Sequence, residues 1–158
     1  MDFAWVGFDR KINSEMLIDA LKQKFNLSNC YEYSIDRLPV LLNTLNLKNI
    51  KEGASIVFYK VIKNESEFPV VWEFIWFPDL QNGIRSDLVI AYYLSEILNC
   101  KTITDGSDFG LDASSYWGIV FDGGRVFLVD DLETRFYGDG DNVLKIIKEL
   151  NIQEVIKM

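Results

Sequence analysis

The stretch 69–77, PVVWEFIWF, limits most strongly what this chain can become. Side chains along a strand alternate between faces. Val70, Trp72, Phe74 and Trp76 therefore share one face, and Val71, Glu73, Ile75 and Phe77 share the other. Both sets are largely apolar, so the strand needs cover on both sides and belongs near the centre of a sheet. A second β-rich run, 54–62 (ASIVFYKVI), precedes it and is joined to it by the polar connection 63–68.

Other elements arrange themselves around this pair. Residues 3–8 (FAWVGF) read as a strand. Asn13 or Ser14 caps a helix to about Phe25, with Leu17, Ala20, Leu21 and Phe25 on one buried face. Residues 30–34 form a short strand, and 38–45 a short apolar helix with Pro39 in its first turn. A mostly buried helix spans 84–99, and 101–104 is a strand. Residues 116–121 and 125–129 flank Asp122-Gly123-Gly124, whose glycines supply the positive φ angles of a tight hairpin. Asp141 caps a last helix with Val143, Ile146, Ile147 and Leu150 on one stripe, and 152–156 adds an edge strand. The order mixes hairpins with single crossovers. It predicts a single α+β domain over residues 1–158, with a mixed or largely antiparallel sheet and about four helices packed on it.

Several function classes drop out on composition. The 158 residues include no histidine, which removes Ser-His, Cys-His and His-metal chemistry together. Cys30 and Cys100 sit in apolar contexts and read as buried thiols. The start, Met1-Asp2, is acidic, and no signal-type apolar segment follows it. The longest apolar run, 88–94, is far shorter than the roughly 18 residues of a spanning helix. A cytoplasmic chain is expected. The net charge of -8 argues against nucleic acid and against anionic membrane as partners.

That charge is concentrated. Residues 105–142 carry nine acids and two bases, while the rest of the chain is nearly neutral. The acids fall on loops and hairpin ends. Asp112, Asp130 and Asp131 should meet at one end of the 116–129 hairpin, with Asp122 at the other. Like charges on one rim repel, so they call for a cation or a basic partner. Turn and capping chemistry accounts for Asp122, Asp139 and Asp141. The candidates for contact are Asp108, Asp112, Asp130, Asp131 and Glu133. Tyr137 serves as an exposed aromatic that can hold Lys or Arg by cation–π contact, and Trp117 belongs to the core.

Size, histidine-free acidic composition and the Asp-rich hairpin region resemble the small acidic immunity proteins of bacterial toxin–immunity systems, including those of contact-dependent inhibition. The resemblance implies a cytosolic, non-enzymatic inhibitor. Its partner would be a basic protein, a toxin domain such as a nuclease, neutralised through the face at 105–141 without a cofactor. Two alternatives stand beside it. One is a divalent-cation-dependent hydrolase using the same carboxylates, although no EF-hand spacing is met. The other is a scaffold whose contact surface lies around Trp72 and Trp76.

Overall fold

Among the described residues, eight strands lie in one sheet. They are β1 (Asp2–Phe8), β2 (Asn29–Glu32), β3 (Ile56–Lys63), β4 (Val70–Phe77), β5 (Thr102–Asp105), β6 (Trp117–Asp122), β7 (Arg125–Asp130) and β8 (Lys145–Leu150). The structure is a computed structural model that describes residues 2–34, 36, 56–77, 85–114, 116–130 and 144–156. Strand order is β2-β3-β4-β1-β5-β6-β7-β8. Neighbours run antiparallel except β2 and β3, which are parallel. Three α-helices lie among the described residues: α1 (Ser14–Phe25), α2 (Ser86–Ile97) and α3 (Ile152–Ile156). The chain is an α+β domain with a largely antiparallel sheet.

The two-faced strand sits where its pattern demands. β4 is third in the sheet, between β3 and β1. On one face Trp72 and Phe74 are buried with Ala4, Val6 and Phe8 of β1, beneath Leu17 and Leu21 of α1 and Leu88, Ala91 and Leu94 of α2. On the other, Val71 is buried with Ile103, Val120 and Val129, and Phe68 and Leu144 join them. Trp72 stacks on Tyr59 at 4.8 Å between centroids and is 1% exposed. It is a core residue, which removes it from any contact surface.

Local chemistry fixes the elements as their sequences suggest. Asn13 Oδ1 accepts from the Met16 amide and starts α1, and Asn26 ends it in the left-handed region. Gly123 and Gly124 have φ of +57° and +81°, the double positive φ of a two-residue hairpin loop between β6 and β7. Among the described residues no helix is long and apolar enough to cross a membrane.

The C-terminal elements are exchanged relative to expectation. Residues 145–150 are strand β8 rather than part of a helix, and 152–156 are helix α3 rather than a strand. A bulge explains why the pattern looked helical. β8 pairs with β7 through Leu128↔Lys148 and then Val129↔Ile146, leaving Ile147 as the extra residue. The bulge brings Ile147 and Leu150 to the same core although they are three apart. In a regular strand that spacing would put them on opposite faces. Asn151 then starts α3, its Oδ1 accepting from the Gln153 amide at 2.9 Å, and Val155 and Ile156 are buried. The expected helix at 38–45 lies outside the described residues.

Candidate functional site

β5 carries the chain to Asp105, where the acidic stretch begins. The Gly106 amide donates to the Trp117 carbonyl at 2.9 Å, so the chain that leaves β5 at Gly106 is back at the sheet by Trp117, the start of β6. The Ser107 hydroxyl donates to Asp105 Oδ2 at 2.7 Å. A 3₁₀ turn, Ser107–Phe109, follows. The loop is therefore an excursion at one end of the sheet, tied at its base by strand pairing.

Arg85 gathers the acids at that base. It precedes α2 and lies outside the acidic stretch. Its Nε and Nη2 hold the two carboxylate oxygens of Asp87. Nη2 also donates to the Asp105 carbonyl at 2.8 Å and lies 3.5 Å from the Asp105 carboxylate. Nη1 donates to Asp108 Oδ2 at 3.1 Å. Burial works to lower the Arg85 pKa, but the hydrogen bond and charge of Asp87, with Asp105 and Asp108, outweigh it and push it up. Asp87 in turn lies against β5. The buried Thr104 hydroxyl lies 2.7 Å from the Trp5 carbonyl and 3.2 Å from Asp87 Oδ2.

A second anchor sits further along the loop. Asp112 Oδ1 accepts from the Ser114 amide at 2.9 Å and from the Trp117 indole N–H at 3.0 Å. The Ser114 amide first, and then the indole, hold this carboxyl below its usual range. Trp117 is 7% exposed, a core residue as its sequence position suggests. Gly110 packs on its ring so closely that a Cβ would lie 2.1 Å from Cδ1.

The remaining candidates divide. Asp130, at the end of β7, is opposite Trp117 on one side and Lys145 on the other. Asp112 and Asp130 thus share the Trp117 end of the hairpin. Asp122 is at the opposite end, 3.7 Å from Lys101 Nζ, and in register with Arg125, whose guanidinium grips Glu149. Asp131, Glu133 and Tyr137 lie outside the described residues. What the loop shows to solvent is mixed: the Asp108 side chain is 67% exposed, Leu111 70% and Tyr116 41%.

Other chemistry finds little material here. Among the described residues no group of three or more Cys, Asp or Glu side chains is arranged to hold a metal ion. Asp87, Asp105 and Asp108 converge on a guanidinium instead. Burial pushes the Cys30 and Cys100 thiols up to about 11, far from nucleophilic at neutral pH. A cleft of about 320 Å³ between α2 and α3 is lined, among the described residues, by Tyr92, Ile152, Gln153 and Ile156.

Sequence reasoning missed Arg85, although a signal was present. A cation beside a helix N-terminus is unfavourable unless an anion answers it. Arg85 sits at the N-cap position of α2, so its placement already asks for carboxylates nearby. No protein-family model matches the chain, and no curated protein or solved structure matches it either.

Proposed function

We propose that this chain is a non-catalytic binding protein for a basic protein partner, with residues 106–116 as part of the contact surface. One observation carries the reading. The loop sets Asp108 and Asp112 beside exposed Leu111 and Tyr116, and residues 106–116 contain no Lys or Arg. Acid to steer and apolar surface to bury is the combination that fits a cationic partner. Arg85 favours this reading over a metal-dependent hydrolase, because it already occupies the point where Asp87, Asp105 and Asp108 meet.

The resemblance to immunity proteins gives the binding a purpose: occlusion of a basic toxin domain, such as a nuclease, by an acidic surface. Opposite charge raises association rates to about 10⁸ M⁻¹s⁻¹ or more at low salt, and a neutralising protein has use for that speed. Asp130, Asp131, Glu133 and Tyr137 belong to the proposed face by their place in the sequence.

The test is affinity capture from the native source at low salt, with elution by rising salt and identification by mass spectrometry. A single basic protein recovered stoichiometrically is expected. The double variant Asp108→Lys with Tyr116→Ala should lose it, whereas Asp122→Lys, at the far end of the hairpin, should keep it. Retention by the double variant would remove the loop from the surface. Marked thermal stabilisation by calcium, magnesium or manganese would instead favour the hydrolase.

A further inference from the structure

We infer that Arg85 is a clasp that holds the 106–116 loop in a preordered shape, and so a positioning residue for the proposed surface. It does this despite cancelling one of the negative charges there. The role in binding rests on the function proposed above; the ordering of the loop does not.

The contacts run outward from the sheet. The hydroxyl of Thr104, fully buried on β5, is within reach of the Trp5 carbonyl of β1 at 2.7 Å and the Asp87 carboxylate at 3.2 Å, and its one proton serves one acceptor at a time. Asp87, with its side chain 13% exposed, takes two guanidinium nitrogens of Arg85. A bidentate pair fixes the plane of the guanidinium. The remaining reach of that fork spans the junction: one bond goes to the Asp105 carbonyl at the end of β5 and one to Asp108 in the loop. The loop's own bonds are short-range, Phe109 amide to Gly106 carbonyl and Ser114 amide to Asp112. Such contacts set local turns, while the bond from the Gly106 amide to the Trp117 carbonyl and the packing of Phe109 on the core join the loop to the body of the domain at its base. Arg85 adds a polar tie at Asp108, and Trp117 adds another through Asp112.

Charge and order make opposite demands, which separates the two. Replacing Arg85 by a neutral residue makes the rim more acidic by one charge. If net charge alone governed capture of a cation, binding would tighten. If the clasp matters, binding weakens, because the loop must be ordered on contact.

The experiment is amide hydrogen exchange on the whole chain, comparing the native protein with Arg85→Met, Arg85→Lys and Asp108→Asn. Arg85→Met should speed exchange at Ser107 and Phe109 by roughly tenfold or more, with Gly106, whose amide is bonded to the Trp117 carbonyl, and Ile119 and Leu128 in the hairpin unchanged. Asp108→Asn, an exposed change that leaves the Asp87 pair intact, should speed Phe109 by less. Arg85→Lys should restore protection only in part, since an ammonium lacks the planar fork. Unchanged exchange in Arg85→Met, or equal acceleration through the hairpin, overturns the clasp, with or without a partner in hand. With the basic protein recovered by affinity capture as probe, Arg85→Met should bind at least several-fold more weakly; tighter binding overturns the positioning role even if exchange has changed.

Discussion

Gly110 is the most sharply constrained position in the candidate surface, and alanine is the change that tests it. A Cβ at residue 110 would lie 2.1 Å from Trp117 Cδ1, 2.3 Å from Nε1 and 2.4 Å from Cγ. Ordinary carbon contacts are about 3.5–4.0 Å, so the indole must shift by about 1 Å or more. The backbone itself raises no objection, because φ at Gly110 is −72°. The penalty is overpacking, typically about 1–3 kcal/mol, and a nearly buried Trp117 puts it in the upper half of that range. Moving the ring also strains its bond to Asp112, which adds to the loss. About 2–3 kcal/mol corresponds to roughly 4–12 °C in Tm for a chain of this length. Calorimetry and urea unfolding would read it. The decisive form is a double-mutant cycle: in a Trp117→Leu background the cost of Gly110→Ala should fall by about 1 kcal/mol or more. Gly123→Ala, which is strained by φ of +57° but meets nothing within 4 Å, should cost the same in both backgrounds. Strict additivity of Gly110→Ala with Trp117→Leu would refute the packing argument.

Three further outcomes follow from the same contacts. The Asp112 carboxyl has a lowered folded pKa, so its contribution is complete above the unfolded value, about 3.9, and is lost as pH falls through the folded one. Asp112→Asn should therefore flatten the acid limb of a stability–pH curve, which chemical denaturation at stepped pH will show. Thiols pushed up to about 11 stay protonated at pH 8. Of the two thiols expected to be buried, Cys100 is, and Cys30 is half-buried; Cys100 should react with Ellman's reagent only slowly in the native protein and fast in denaturant, with Cys30 between the two, and rapid native reaction at Cys100 would contradict its burial. In β8, Ile147→Ala should cost about 1–2 kcal/mol because its side chain packs on the core. Ile146→Ala, 62% exposed, should stay within about 0.5 kcal/mol. Equal losses in urea unfolding would point to a helix rather than a bulged strand.

The β8 pair also explains where sequence and structure part company. Periodicity reports which residues share a face only if the element is regular. For α1 it is, and Leu17, Ala20 and Leu21 are buried as their spacing says. For β4 alternation correctly announces a strand with core on both faces. Around Ile147 one extra residue shifts the phase by a position, and a strand then presents apolar residues at a helical spacing. A bulge leaves no mark in composition, since it depends on the register of β7 rather than on β8 itself. The Asp122-Gly123-Gly124 hairpin was legible for the opposite reason: its turn needs positive φ at two successive residues, and glycine supplies it locally.

The acidic stretch shows the same distinction for charge. Nine acids against two bases is a count along the chain, whereas electrostatic energy depends on distance. Asp105 and Asp108 find Arg85, twenty or more positions earlier. Asp122 finds Lys101, and Asp130 faces Lys145 across the strands. These cations stand outside the 105–142 segment, so the segment is less charged in space than in sequence. Compensation is uneven. It is closest at the base of the loop, where Arg85 pairs with Asp87, Asp105 and Asp108, whereas Asp112, further along, is held by neutral donors, the Ser114 amide and the Trp117 indole. On the function proposed above, such a surface offers its negative charge to the partner and spends its cations on holding shape. If that function holds, Asp108→Asn should change association rate and salt dependence more than it changes the order of the loop. Mutating Arg85 should act on the order of the loop, a difference that kinetics measured at two ionic strengths will resolve.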